Sequence, residues 1–234
     1  MIHSPRIRRG MRRHLMAAKL MFTSHFEESK VGEYLINLIN SKLLTDSASL
    51  QLFVVAQTML GKKAVFDLVK KECPEFLKRK KDRHEIEDEG EGMAAHIPPH
   101  VLKRLLRKRV APLILKKIKK LPARHDHELE QRFLALQKTF SLQDEEIEIL
   151  SFFYLQETSK MVEAHLSDVG DFTGISAFRS YGNILLGLER KAFLNALAAG
   201  NLFKADIIQR EDDSFELQSW CTDYLCGMSD IDLS

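Results

Sequence analysis

Residues 175–217 read ISAFRSYGNILLGLERKAFLNALAAGNLFKADIIQREDDSFEL, and the spacing of their apolar residues changes partway along. Helical spacing runs through residues 175–186 and again through residues 189–199, and Gly187 provides a tight turn between them. A second glycine, Gly200, ends the later helix. This part of the chain therefore predicts two consecutive helices joined by a short turn.

The pattern alternates after Gly200, as expected for extended backbone. We predict, in order, a strand, an acidic turn, a return strand and a final helix, over residues 203–209, 211–213, 214–217 and 219–226. Another helix is predicted upstream, from a capping box that begins at Ser141. A helix, then a helix–turn–helix, then a hairpin is the element order of a winged helix. Residues 141–234 are therefore predicted to form a winged-helix-like domain.

The preceding part of the chain is also predicted to be helical. Apolar residues at helical spacing indicate helices within residues 31–44, 46–60, 65–69, 101–120 and 129–140. A charged stretch with two glycines near residues 78–95 is interpreted as a linker or exposed loop. Pro112 is expected to kink or split the helix that contains it. The predicted fold class is mainly α, with a helical region over residues 31–140 followed by a winged-helix domain with a small β-hairpin.

Residues 1–30 are predicted to be a basic, flexible tail. The first 26 residues contain five arginines and one lysine but no acidic residue. Three interpretations stay open: an arm that binds nucleic acid, an organelle transit peptide, or else a flexible tail or an over-extended start. The third interpretation is favoured, since Met11, Met16 and Met21 could each begin the chain.

The net charge of +2 hides a strong asymmetry. Residues 141–234 carry six Lys/Arg and seventeen Asp/Glu, a net charge of −11, which leaves 29 basic and 16 acidic residues and a net charge of +13 for residues 1–140. We expect the two halves to attract each other or to attract different partners.

The helix predicted over residues 101–120 is the candidate surface for a nucleic acid or an acidic partner, because cationic side chains displace counterions along phosphates. Its candidate contact residues are Lys103, Arg104, Arg107, Lys108, Arg109, Lys116, Lys117 and Lys120. The favoured interpretation, however, is an amphipathic helix that docks on the acidic half. The acidic half itself should repel a duplex, so its winged helix is predicted to contact protein.

No nucleotide-binding or nucleophilic motif is recognisable. Gly61-Lys62 is the only Gly-Lys pair, but Ala56 and Lys63 stand where a phosphate-binding loop needs a glycine and a hydroxyl residue. No Gly-x-Ser-x-Gly elbow occurs. The carboxylates within residues 144–148 and 211–213 are explained by a capped helix and a solvated turn. We therefore expect no catalytic residues and no enzyme activity.

Metal and cofactor sites are not expected either. His96 and His100 have an i, i+4 spacing, but Pro98 and Pro99 lie between them, and zinc needs three or four convergent ligands. The three cysteines have no metal-binding spacing, which is typical of reduced thiols in a reducing compartment. No apolar run is long enough for a membrane span, and the start lacks a secretory block. We predict a cytoplasmic protein with no membrane attachment, cofactor or metal.

Short stretches of the acidic half carry a family resemblance: DEEIEILSFFYL at 144–155, ILLGL at 184–188, GNLF at 200–203 and YLCGMSD at 224–230. Together they resemble a region N-terminal to the ATPase module in a group of bacterial AAA-type ATP-binding proteins. The resemblance implies a helical and winged-helix platform that precedes a nucleotide-binding core. The chain ends about where that core would begin, so ATP hydrolysis is implied for no residue here. An excised region, a split gene product and a free-standing relative are all compatible with this pattern.

The function predicted from these observations is a non-catalytic protein-interaction or regulatory region. It would mediate contact with a substrate, a protein partner or ATPase module, or a second copy of the chain. The alternative is a winged-helix regulator that binds nucleic acid through the basic helix at residues 101–120. The oligomeric state is left open.

Overall fold

The structure, a computed structural model, describes residues 22–77, 96–121, 127–166, 169–170, 172 and 174–229. The helices are α1 His25–Asn40, α2 Asp46–Leu60, α3 Lys62–Glu72, α4 Pro74–Leu77, α5 Pro99–Leu105, α6 Ala111–Ile118, α7 His127–Phe140, α8 Asp144–Thr158, α9 Ile175–Leu186, α10 Arg190–Ala199, α11 Asn201–Lys204 and α12 Ser219–Cys226. Two π turns, π1 Leu106–Val110 and π2 Val162–Leu166, and two strands, β1 Ile208–Glu211 and β2 Ser214–Leu217, complete the described elements. The predicted mainly helical class with a small antiparallel hairpin is confirmed.

The first two helices begin at side-chain caps. Ser24 accepts a hydrogen bond from the Glu27 N–H, and Thr45 accepts one from the Ala48 N–H, so each cap satisfies a backbone donor that has no partner within the helix. Helix α1 takes in residues 25–30, which the sequence analysis assigned to the tail. Residues 1–21 of that tail and the linker predicted near 78–95 lie outside the described residues.

Helix α1 connects the two halves of the chain. Gly32 lets it approach α6 closely, since a Cβ at this position would lie 2.7 Å from the Ile118 Cγ2 atom. Towards the acidic half, the Lys30 ammonium lies 2.6 Å from the Glu148 carboxylate, and the Asn37 amide donates to the Leu185 carbonyl oxygen at 3.0 Å. The buried apolar side chains of both halves form one hydrophobic cluster.

The basic helix is the continuous element α5–π1–α6. Its buried stripe packs on α1 and α2, so the expectation that it docks on the acidic half is wrong. The π turn comes directly before Pro112 and includes a hydrogen bond from the Ala111 N–H to the Leu106 carbonyl oxygen, five residues back. Proline lacks an N–H and clashes with the preceding turn, and the wider turn accommodates it without breaking the helix.

The acidic half is built around α8 and a cluster of phenylalanines. The Phe178 ring lies 5.0 to 5.9 Å, centroid to centroid, from four others, those of Phe152, Phe153, Phe193 and Phe215. The hairpin pairs Ile208 with Leu217 and Glu211 with Ser214. Phe215 and Leu217 are buried while Glu216 is exposed, which is the alternation of a strand with one face on the core.

Two local predictions in this half are wrong. The first strand begins at Ile208 rather than 203, because residues 201–204 form the short helix α11. The capping box begins at Gln143, whose N–H donates to the Glu146 carboxylate at 2.9 Å, whereas Ser141 adopts a left-handed conformation with φ 52°. The predicted bounds of α2, α9, β2 and α12 are confirmed.

Candidate functional site

Half of the eight predicted contact residues are held by neighbouring elements. Lys103 lies 2.6 Å from Asp46, Arg109 lies 3.1 Å from Glu72, and Lys117 lies 2.5 Å from Glu28. Arg107 donates to the carbonyl oxygens of Ile39 at 3.1 Å and Ser41 at 3.0 Å, where α1 ends. These four cations are neutralised, or bound to the negative end of a helix dipole, so the chain itself already provides their partners.

The other predicted cations face solvent. Arg104, Lys108, Lys116 and Lys120 are exposed and form no ion pair or hydrogen bond with any residue that the structure describes, and neither does Lys119, which the sequence analysis left out. We call these five residues the basic stripe. Helical spacing could not separate the stripe from the neutralised cations, because the acids that neutralise them come from α1, α2 and α3.

A shallow cleft of about 250 Å³ lies beside the first turn of the stripe. Arg104 and Lys108 line it together with the Arg109–Glu72 pair, and Cys73 lies at its base. Burial raises the pKa of the Cys73 thiol, which keeps it protonated and poorly nucleophilic. The cleft therefore offers cations to an anionic group but no group to react with it.

The hairpin presents the opposite charge. Glu211, Asp212, Asp213 and Glu216 are all exposed, and we call them the acidic hairpin. The negative charge of Glu216 raises the pKa of Glu211 above its usual range, as expected for like charges held side by side. These carboxylates form no salt bridge within the described part of the chain.

Two arginines of the acidic half are bound within the fold. The Arg210 guanidinium lies 5.4 Å from the Phe203 ring centroid and 5.8 Å from that of Phe215. Arg190 donates to the Ser180 carbonyl oxygen at 3.1 Å. Lys191 is exposed at the start of α10, but Glu189 caps the same helix end, and backbone N–H donors lower the pKa of this carboxyl. Residues 189–217 therefore expose six acids and four cations, so this surface carries a net negative charge.

A second cleft, of about 500 Å³, lies between α7 and α12. Arg132 donates to the Tyr224 carbonyl oxygen and lies over the Tyr224 ring, 5.6 Å from its centroid. The exposed Cys226 thiol is 3.8 Å from the Tyr154 hydroxyl. The cleft therefore places one exposed thiol beside a tyrosine hydroxyl.

The described residues were also compared with the requirements of a metal site and of a membrane-spanning helix. None of the His, Cys, Asp and Glu residues there form a group of three or more that could hold a metal ion. No helix among them has the length and apolar character to cross a membrane. Comparisons with family models, curated proteins and solved structures find no match to this chain. Over its described residues, the chain is a mainly helical protein with a two-stranded antiparallel sheet.

Proposed function

We propose that this chain is a non-catalytic interaction region, similar to the N-terminal part of an AAA-type ATPase, and that its acidic half contacts a protein partner. The observation that supports the proposal is the exposed acidic hairpin, which lies in a segment, residues 189–217, that exposes six acids and only four cations. Phosphates would be repelled by such a surface, because duplex binding depends on free cations. A basic or mixed protein surface would be attracted.

A winged-helix architecture for the acidic half is part of this proposal. Three features support it: the order α8, α9, α10, β1, β2, with only the short α11 between α10 and β1; the short Gly187 turn between α9 and α10; and an isolated antiparallel bridge between Gly174 and Ser214. The bridge joins the segment before α9 to the hairpin, as a short third strand would. The Ile175 N–H also donates to the Asp213 carbonyl oxygen at 2.8 Å.

The contacts of α1 indicate how a bound partner would be held relative to the rest of the chain. Besides the ion pair of Lys30 with Glu148, the buried Glu27 carboxylate accepts a hydrogen bond from the Ser159 hydroxyl at the end of α8. Buried charged hydrogen bonds fix geometry more strongly than exposed pairs. A protein docked on the acidic hairpin would therefore keep a defined position relative to the basic helix.

We place the protein in the cytoplasm. All three of its cysteines are free thiols, and two of them, Cys73 and Cys221, are buried. Unpaired thiols are typical of reducing compartments.

The first experiment identifies the partner. The tagged full-length chain is purified from its native cells, and co-purifying proteins are identified by mass spectrometry. We expect an ATP-binding protein with a phosphate-binding loop, encoded by the downstream reading frame or a neighbouring gene. Recovery of no such ATPase, together with no phosphate-loop motif in those genes, would refute the ATPase assignment.

The second experiment tests the surface with the purified partner. Glu211→Lys combined with Glu216→Lys should weaken its binding at least tenfold, because both substitutions reverse charge on the acidic hairpin. The matched control is Glu130→Lys combined with Glu163→Lys, which changes net charge equally at exposed positions outside the hairpin. Equal loss of affinity in both double variants would show that net charge, rather than the hairpin, governs binding.

A further inference from the structure

The basic stripe follows one side of α5–π1–α6 in steps of four residues. Arg104, Lys108, Lys116 and Lys120 occupy the steps, with Pro112 at the remaining one, and all five positions are exposed. At about 100° per residue, a row with this spacing would wind about 160° around an uninterrupted α-helix over 16 residues. Such a row could not face one straight ligand along its whole length.

The π turn corrects this drift. Its wider turn takes in about one additional residue, which rotates the helix after it back by about 100° and reduces the total drift to roughly 60°. Burial on the opposite side supports this geometry, because Leu102, Leu106, Val110 and Ile114 also follow in steps of four and are each 0% exposed. The cations before and after the π turn therefore face the same direction, along about 24 Å of helix.

No acidic residue lies within residues 93–125. Three acids of neighbouring helices, Asp46, Glu72 and Glu28, pair with the flanking cations Lys103, Arg109 and Lys117. Among the residues that the structure describes, no acidic side chain pairs with the stripe, which is therefore a row of positive charge. Such a row attracts a polyanion and releases the counterions condensed on it.

The type of polyanion is indicated by the stiffness of the possible ligands and by the other side chains of the basic helix. A duplex is already a stiff line of charge, whereas an acidic peptide would lose conformational entropy on extending along the row. Residues 101–120 contain no aromatic, amide or hydroxyl side chain, and these are among the groups that stack on bases or read their edges. Arginine and lysine can also contact guanine edges, but a row made of these cations alone binds chiefly the phosphate backbone.

We propose that Arg104, Lys108, Lys116, Lys119 and Lys120 bind the sugar–phosphate backbone of nucleic acid independently of sequence. This surface is separate from the acidic hairpin, so its failure would leave the protein-contact proposal standing, and the reverse is also true. It also narrows the predicted contact set, since Lys103, Arg107, Arg109 and Lys117 serve the fold instead.

The test is the salt dependence of binding to a labelled 20-base-pair duplex of arbitrary sequence, measured by fluorescence anisotropy with the full-length chain. Each neutralised phosphate contributes a slope of about −0.9 to a plot of log K against log salt, so three to five contacts predict a slope of about −3 to −4.5. A duplex of unrelated sequence should bind with the same affinity within about twofold.

The decisive variant replaces Arg104, Lys108, Lys116 and Lys120 by Gln. We expect at least tenfold weaker binding at 50 mM salt and a slope shallower by about 3.6 if all four side chains contact phosphates. The control changes net charge equally by replacing four exposed cations of the acidic half with Gln: Lys160, Arg179, Lys191 and Lys204. It should keep at least half of the wild-type affinity. Matching far-UV circular dichroism and melting temperatures show that both variants are folded.

Three outcomes would overturn the inference. Unchanged binding in the stripe variant would assign the interaction to another part of the chain, such as the arginine-rich residues 1–21. Loss of binding only in the control would assign it to the acidic half. Tighter binding to a polyglutamate peptide or to anionic lipid vesicles than to the duplex, at equal salt, would identify a different class of ligand.

Discussion

Replacing Glu146 by Ala should destabilise this protein far more than replacing its neighbour Glu145. Glu146 is 1% exposed, and its carboxylate accepts backbone hydrogen bonds from Gln143 and Leu202, each at 2.9 Å. The first bond caps α8, and the second ties α11 to it across 56 residues of sequence. Glu145 lies on the same helical turn but forms no hydrogen bond or salt bridge with the described residues.

The magnitude follows from these two bonds. A hydrogen bond to a charged group contributes about 1.5–3 kcal/mol, and truncation would leave two backbone donors without a partner. We therefore expect Glu146→Ala to lower the free energy of unfolding by about 3 kcal/mol. Glu145→Ala should lose only its interaction with the helix dipole, about 0.3–1 kcal/mol. Glu146→Gln should fall between them, because its uncharged amide keeps one acceptor oxygen.

Urea unfolding followed by circular dichroism measures all three variants. A loss of about 3 kcal/mol is a large share of the 5–15 kcal/mol that stabilises a typical domain, so the transition midpoint should shift clearly. Gly200→Ala should also lower the free energy of unfolding, because the new Cβ would lie 2.5 Å from Glu146 Oε1 and overlap the Ala196 carbonyl oxygen. If Glu146→Ala and Glu145→Ala differ by less than about 0.5 kcal/mol, the argument from the buried carboxylate is wrong.

Three further predictions concern single groups. Glu216→Gln should lower the pKa of Glu211 towards its usual range, because the charge of Glu216 raises that pKa. NMR titration of the Glu211 carboxyl carbon measures the change. In the wild type, this repulsion lowers stability at neutral pH, and the lost stability should return as the pH falls through the raised pKa of Glu211. An unchanged pKa would exclude that cause. Ellman's reagent should label one thiol per native chain, that of Cys226, and three thiols after denaturation. The other two cysteines are buried, and burial raises the pKa of Cys221 to about 12. Two or more fast-reacting thiols in the native chain would contradict the burial. Arg210→Ala should lower the free energy of unfolding by about 1 kcal/mol, because the guanidinium loses its contacts with two phenylalanine rings. Lys204→Ala should lower it by less than about 0.5 kcal/mol. Equal losses in the two variants would count against the ring contacts.

Local patterns were enough to locate many elements, because their causes lie within a few residues. Thr45 caps α2 and Gly61 ends it, and Gly187, with φ 71°, ends α9 where the turn was predicted. The return strand Ser214–Leu217 alternates buried and exposed positions as its sequence does. The family resemblance and the winged-helix interpretation remain predictions.

Contacts between residues distant in sequence determined the position of α11 and the partners of the basic helix. Residues 203–209 alternate like a strand, yet the chain first forms α11, because Glu146 binds the Leu202 N–H and the Asn201 amide binds the Phe140 carbonyl oxygen. The cations of the basic helix look alike in sequence, and acids on α1, α2 and α3 determine which of them are neutralised. Periodicity records which face of a helix is apolar, but it carries no information about the charge of the surface against which that face packs. Only the folded chain separates the five cations of the basic stripe, which have no partner among the described residues, from the four that hold the helices together.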